Sequence, residues 1–213
     1  MNFLEIINKC LSELNSRQVN DFSELTKNEH KRLLSAVNLV NKELCNIENW
    51  NFLLKRTTVQ LPSNTTEIEN PVNGKILHIF IDGGEYLFTE NLLPFLEGRH
   101  TEIKRYSILG NALLFPKFEE EKTLDIVYYS ANCAVDFEQN EKENLEKTDD
   151  KSLIPMPFAE QLLVYGACLR VKANPQYFKF SYWLSMYKEA LLNLKSKALL
   201  TVQGTPTINL SRN

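Results

Sequence analysis

Leu33-Leu34-Ser35-Ala36-Val37-Asn38-Leu39-Val40-Asn41-Lys42-Glu43-Leu44-Cys45-Asn46-Ile47-Glu48-Asn49-Trp50-Asn51-Phe52 changes its apolar period once, and that change divides the chain. Leu33, Val37, Val40, Leu44 and Ile47 recur at the spacing of one helical face. Trp50 and Phe52 then alternate, and Lys55-Arg56-Thr57-Thr58-Val59-Gln60-Leu61 follows as a strand. No glycine stops the helix, so packing must hold the chain at the junction. Trp50 is therefore expected to be buried where a helical layer meets a β layer.

Toward the N-terminus, Phe3, Ile7, Leu11 and Leu14 form one face of a first helix. Thr26-Lys27-Asn28-Glu29 matches a capping box and predicts the start of the second helix. Toward the C-terminus, residues 51–131 read as β. The candidates are 59–61, 75–81, 86–88, 102–108, 112–115 and 123–129, with Asp82-Gly83-Gly84-Glu85 as a hairpin turn. Asp136 to Lys151 is charged and nearly free of apolar residues, which predicts a long loop. Pro157 suits the first turn of a third helix, and Pro175 the start of a fourth.

The division expected is N-terminal helices (1–50), a β subdomain (51–135), an acidic loop (136–152), C-terminal helices (153–200) and a flexible polar tail (201–213). The expected fold is α+β. It has an antiparallel bundle of about four helices, over 3–15, 27–49, 157–172 and 176–199, with a small antiparallel β subdomain inserted.

The composition is that of a globular chain: 213 residues, 43% hydrophobic and 24% charged, which does not point to disorder. A net charge of −3 makes no global case for nucleic-acid binding. The charge is uneven, however. Residues 136–151 hold seven acidic and three basic side chains, and residues 152–213 hold two and seven. Opposite charges on two parts of a chain suit contact between neighbours in an oligomer, or simply two solvated faces. The opening residues have no basic start and no long apolar run, so no signal peptide is expected. No apolar run reaches the roughly 18 residues of a membrane span. The four cysteines form no C-x-x-C pair and read as reduced thiols in a cytoplasmic protein.

No catalytic set is legible, and no cofactor or metal is expected. His30, His78 and His100 share no metal-ligand spacing, with His30 read as lying on an exposed helix start. Asp82 and Glu85 belong to a turn, and Glu119-Glu120-Glu121 to a solvated loop. The aromatic residues around the fourth helix are denser than one core needs. Tyr182, Trp183 and Tyr187 are therefore candidates for contact with a partner chain. Ile208 and Leu210 alternate with polar residues in the tail, and they are candidates for docking on an exposed edge or pocket.

The order of these pieces resembles a known family. Ala36-Val37-Asn38-Leu39-Val40-Asn41-Lys42-Glu43-Leu44 precedes Trp50-Asn51-Phe52. Then come Ile76-Leu77-His78-Ile79, the expected hairpin Leu113-Leu114-Phe115 to Leu124-Asp125-Ile126-Val127-Tyr128-Tyr129, and last Ile154-Pro155-Met156-Pro157-Phe158-Ala159-Glu160-Gln161-Leu162. This order is similar to that of the head-to-tail adaptors of short-tailed bacteriophages, the tail tubular protein A or gatekeeper-ring family, over roughly residues 3–200. The acidic segment 136–151 departs from a minimal member. The resemblance implies a structural virion protein and no catalysis. It implies a ring, commonly a dodecamer, that binds a portal on one side and a tail nozzle or next tail component on the other. Packaged DNA would pass through without sequence-specific contact. The protein would stand at the head–tail junction of the virion, and in the host cytoplasm during assembly. The alternatives are another phage or cytoplasmic assembly protein, and a helix-turn-helix regulator. The regulator is disfavoured because Glu29, Glu43 and Glu48 offset Lys31, Arg32 and Lys42.

Overall fold

The computed structural model describes residues 1–97 and 104–202. They form two compact units, one from Met1–Phe52 together with the chain from Cys133 on, the other from Leu53–Asn132.

The helical unit begins with α1, Phe3–Glu13. Its first turn is closed by a capping box absent from the expectations above. Asn2 Oδ1 accepts from the Glu5 N–H, and Glu5 Oε2 accepts from the Asn2 N–H, each at 2.8 Å. The box expected at Thr26–Glu29 does not form. The second helix, α2, spans Asn28–Ile47 and has no side-chain cap. The Glu29 carboxylate pairs with Lys172 instead. Leu33, Val37, Val40 and Leu44 of α2 are buried, as their spacing requires. Trp50 is 2% exposed, its indole N–H donates to the Leu44 carbonyl at 2.6 Å, and its ring stacks on Phe52. The polar edge of the indole is thus satisfied by the last turns of the helix it follows.

The second unit holds β1 (Leu54–Leu61), β2 (Glu67–Glu69), β3 (Gly74–Ile81), β4 (Gly84–Phe88), a one-turn helix α3 (Leu93–Leu96), β5 (Arg105–Leu109), β6 (Ala112–Leu114) and β7 (Lys122–Ser130). Seven strands make one sheet in the order β1-β7-β3-β4-β5-β6-β2. The β3–β4 hairpin turns on Asp82 and Gly83, whose φ values of 47° and 77° are both left-handed, as a tight primed turn needs. The four further pairings of this sheet are antiparallel, but β4 and β5 run parallel. The connection between them is long enough for a crossover, which a parallel pair needs and a hairpin cannot supply.

β1 and β2 occupy opposite edges of this sheet although only the short turn 62–66 separates them in sequence. Such a connector reaches only if the sheet curls toward closure. Two backbone bonds hold it there: Asn64 N–H to the Phe118 carbonyl at 2.7 Å and Phe115 N–H to the Thr66 carbonyl at 2.9 Å. The concave side is filled by Leu61, Ile79, Ile81, Tyr106, Leu113, Phe115, Leu124 and Ile126. Each fully buried side chain of this kind contributes about 1.5–3 kcal/mol.

This corrects the expected architecture. The fold is α+β with a curled, mixed seven-stranded sheet, a half-barrel, and five helices among the described residues. It is not a helical bundle carrying a small antiparallel β insert. The sheet is larger because Glu67-Ile68-Glu69 forms a strand despite its two carboxylates. The pairing is mixed because the β4–β5 link is a crossover, and the hairpin expected between 113–115 and 124–129 does not form, since β6 pairs with β5 and β2 while β7 pairs with β1 and β3. The expected strand residues 102 and 103 lie outside the described part.

Back in the helical unit, the segment expected as a bare loop carries a three-stranded sheet. Its strands are β8 (Ala134–Val135), β9 (Glu141–Lys142) and β10 (Lys151–Ser152), in the order β10-β8-β9. Side chains of α2 hold it. Asn38 makes a reciprocal pair with Leu145, while Asn41 donates to the Cys133 carbonyl at 2.9 Å and accepts from the Ser152 hydroxyl at 2.6 Å. The segment in turn caps the start of α1, because the Asp150 and Thr148 carbonyls accept from the Phe3 and Leu4 N–H groups. Asp150 is fully buried. Its Oδ2 accepts from the Glu146 and Lys147 N–H groups and from Lys142. The chain then forms α4 (Phe158–Val171) and α5 (Phe180–Val202). The fourth helix of the expectation, placed at 176, begins later because 174–177 is a turn closed by Asn174.

Candidate functional site

The five residues proposed for partner contact separate into four groups. Trp183 is fully buried in its own chain, where its indole N–H donates to Glu13 Oε2 at 2.9 Å and its ring stacks on Tyr177. It is a core residue of the helical unit, joining α5 to α1. Tyr182, its neighbour, is 50% exposed and stands edge-to-face with Tyr165 of α4, ring centroids 5.8 Å apart and hydroxyls 3.4 Å apart. Burial, then the Tyr182 hydroxyl, push the Tyr165 phenol up. Phe178, which is more exposed still, precedes them. Ile208 and Leu210 lie outside the described residues.

Tyr187 lies elsewhere on α5, beside a groove of about 320 Å³. Val40 of α2, Gly166, Leu169 and Arg170 of α4, and Phe180, Leu184 and Tyr187 of α5 line it. Gly166 permits the approach of these helices. A Cβ there would meet Val40 Cγ1 at 2.8 Å and a Tyr187 ring carbon at 3.0 Å. Burial pushes the Tyr187 phenol up, with Arg170 acting the other way. Arg170 itself pairs with Glu43. The groove is sized for one or two apolar side chains with a charged pair at the side. A second depression, also of about 320 Å³, lies between α1 and α4 and is more polar, with Lys9, Glu13, Glu160 and Tyr165 on its walls.

The groove is assembled from three helices and could not be read from any one of them. Its only sequence signal is Gly166, a glycine inside an otherwise apolar helical run.

The uneven charge is used inside the chain. Glu13, Glu29, Glu43 and Glu48 of the N-terminal part pair with Lys179, Lys172, Arg170 and Lys195 of the C-terminal part. Glu143 of the acidic segment pairs with Lys42, and Asp150 and Glu146 with Lys142. These bridges are mostly exposed and individually worth at most about 1 kcal/mol. Together, and with Lys9–Glu160, they favour one pairing of early and late helices.

His30 is buried on α2 rather than exposed, and His78 of β3 bonds Glu85 across the hairpin at 2.8 Å. His100 lies outside the described residues. Among the described residues no group of three or more His, Cys, Asp or Glu side chains could hold a metal ion. Among them, too, no helix is long and apolar enough to cross a membrane. No protein-family model matches the chain, and no curated protein matches it in sequence.

Proposed function

We propose that the chain is a structural adaptor of a bacteriophage head–tail junction. It would assemble as a ring between the portal and the tail nozzle or next tail component, with DNA passing through the centre. Its place is the virion, and the host cytoplasm during assembly. The observation that carries this reading is the order of elements. A helical unit is split by a contiguous β unit after the Trp50 junction and resumes at Cys133, with its next helix at Phe158, in the sequence of pieces that carries the family resemblance. The exposed Tyr182 and Phe178 and the apolar groove beside Tyr187 add surfaces suited to aromatic and aliphatic contacts. The tail 201–213, with Ile208 and Leu210, would act as the docking arm.

The test is assembly. The full chain is mixed with the portal of the same phage and viewed by negative-stain microscopy, beside the chain alone. A ring capping the portal is expected, and it weakens when Tyr182 is changed to Ala or when residues 203–213 are removed. No association with the portal at micromolar concentrations sinks the reading. Unchanged binding without the tail removes the arm but leaves the adaptor.

A further inference from the structure

The four cysteines, scattered in sequence, meet as two buried pairs in the helical unit. Cys10 of α1 and Cys168 of α4 are 158 positions apart, and the Cys168 sulfur lies 3.9 Å from the Cys10 carbonyl oxygen. The Cys10 sulfur lies 3.8 Å from the carbonyl of Val164, one turn before Cys168. Each thiol therefore faces the backbone that carries the other. Cys45 stands one helical turn after Asn41, whose amide holds the Cys133 carbonyl at 2.9 Å. That bond ties Cys133 to the helix that bears Cys45, and the neighbouring Cys133 side chain, then burial, push the Cys45 thiol up. None of the four is in a disulfide.

We propose that Cys10–Cys168 and Cys45–Cys133 are two disulfide-forming pairs, oxidised in place by a low-molecular-weight disulfide such as oxidised glutathione. The inference stands apart from the adaptor reading. In each pair one thiolate attacks the small disulfide, forms a mixed disulfide and releases one glutathione. The second thiol then loses its proton and attacks the protein sulfur of the mixed disulfide, displacing the second glutathione. Two protein thiols and one disulfide become one protein disulfide and two thiols, with two electrons passed to glutathione. In the second pair the two thiols are unequal. The hydrogen bond from Cys45, aided by Lys42, holds Cys133 below its ordinary value, whereas Cys45 is pushed up.

Both bridges would join the segment before the β unit to the segment after it. The helical unit, continuous only in space, would become covalently closed at two places. Because all four sulfurs are buried, oxidation waits on local opening and is slow in the folded protein.

The experiment uses the full chain with oxidised glutathione in mildly alkaline buffer. Urea is raised, short of unfolding, until iodoacetamide in a parallel sample labels all four cysteines, so that access is demonstrated. Peptide mapping without reductant is expected to show Cys10 linked to Cys168 and Cys45 to Cys133. The oxidised protein should melt at least about 5 °C higher than the reduced one, the gain vanishing on reduction. In the single variants Cys45→Ala and Cys10→Ala the remaining partner should keep a glutathione adduct. Other pairings, persistent adducts in the natural sequence, or thiols that stay reduced while iodoacetamide reaches them each overturn the proposal.

Discussion

The Asn38 side chain and the Leu145 backbone bond each other twice: the amide donates to the Leu145 carbonyl at 2.8 Å and its oxygen accepts from the Leu145 N–H at 2.7 Å. The side chain thereby takes the place of a neighbouring strand for a segment that has few apolar side chains of its own. Leu145 is the exception and is buried. Asn38→Ala should destabilise the protein by about 1–3 kcal/mol, since two backbone groups lose partners. Asn41→Ala, at a fully enclosed position, should cost at least as much. Urea unfolding followed by circular dichroism reads both, and a change under about 0.5 kcal/mol for each would show that the asparagines do not hold the segment.

Asp150 makes the same segment sensitive to acid. Burial acts to raise its carboxyl, but Lys142 and the Glu146 and Lys147 N–H groups outweigh burial, and the net direction is down. A folded value below the unfolded one means a contribution complete above the unfolded pKa of about 3.9 and lost as pH falls through the folded value. Asp150→Asn should be less stable than the natural protein at neutral pH. The gap should narrow below about pH 4, where other carboxylates also titrate in both proteins. A gap independent of pH across that window contradicts the assignment.

Trp50→Ala should cost about 3–5 kcal/mol, through lost volume and an orphaned Leu44 carbonyl. Trp50→Phe keeps much of the volume and loses the bond, so a cost nearer 1–2 kcal/mol is expected. Equal costs for the two would mean that the hydrogen bond, not the packing, anchors the junction.

Gly166→Ala should destabilise by roughly 1–3 kcal/mol, because its methyl would overlap Val40, despite the better helix propensity of alanine. Val40→Ala in the same chain should restore part of the loss. The non-additivity in a double-mutant cycle is the diagnostic reading.

The helical elements were legible because Leu33, Val37, Val40 and Leu44 keep one period over about three turns, and burial follows that period directly. The sheet was legible only in its apolar strands. Nothing local marks Glu67-Ile68-Glu69 as a strand, since it is ordered by pairing with residues of β6 far along the chain. The parallel β4–β5 pair depends on where a long connector returns, which periodicity does not encode. The acidic segment misled for a related reason: its order comes from Asn38 and Asn41, polar side chains on another element. Among the aromatic candidates, composition could not separate the buried Trp183 from the exposed Tyr182, adjacent in sequence and on different faces of α5. What divides them is Glu13, which comes from the other end of the chain.

Leu54 and Tyr129 are register partners on adjacent antiparallel strands, so the two ends of the β unit emerge side by side. An insertion with joined ends can be cut out and its host sealed with a short turn, and residues 53–132 should fold when expressed alone. The helical unit has no such freedom. During synthesis α1 must wait for α4, which leaves the ribosome only after the whole sheet has been made. The half-barrel is therefore expected to be native first, with the early helices held open until the last third of the chain arrives.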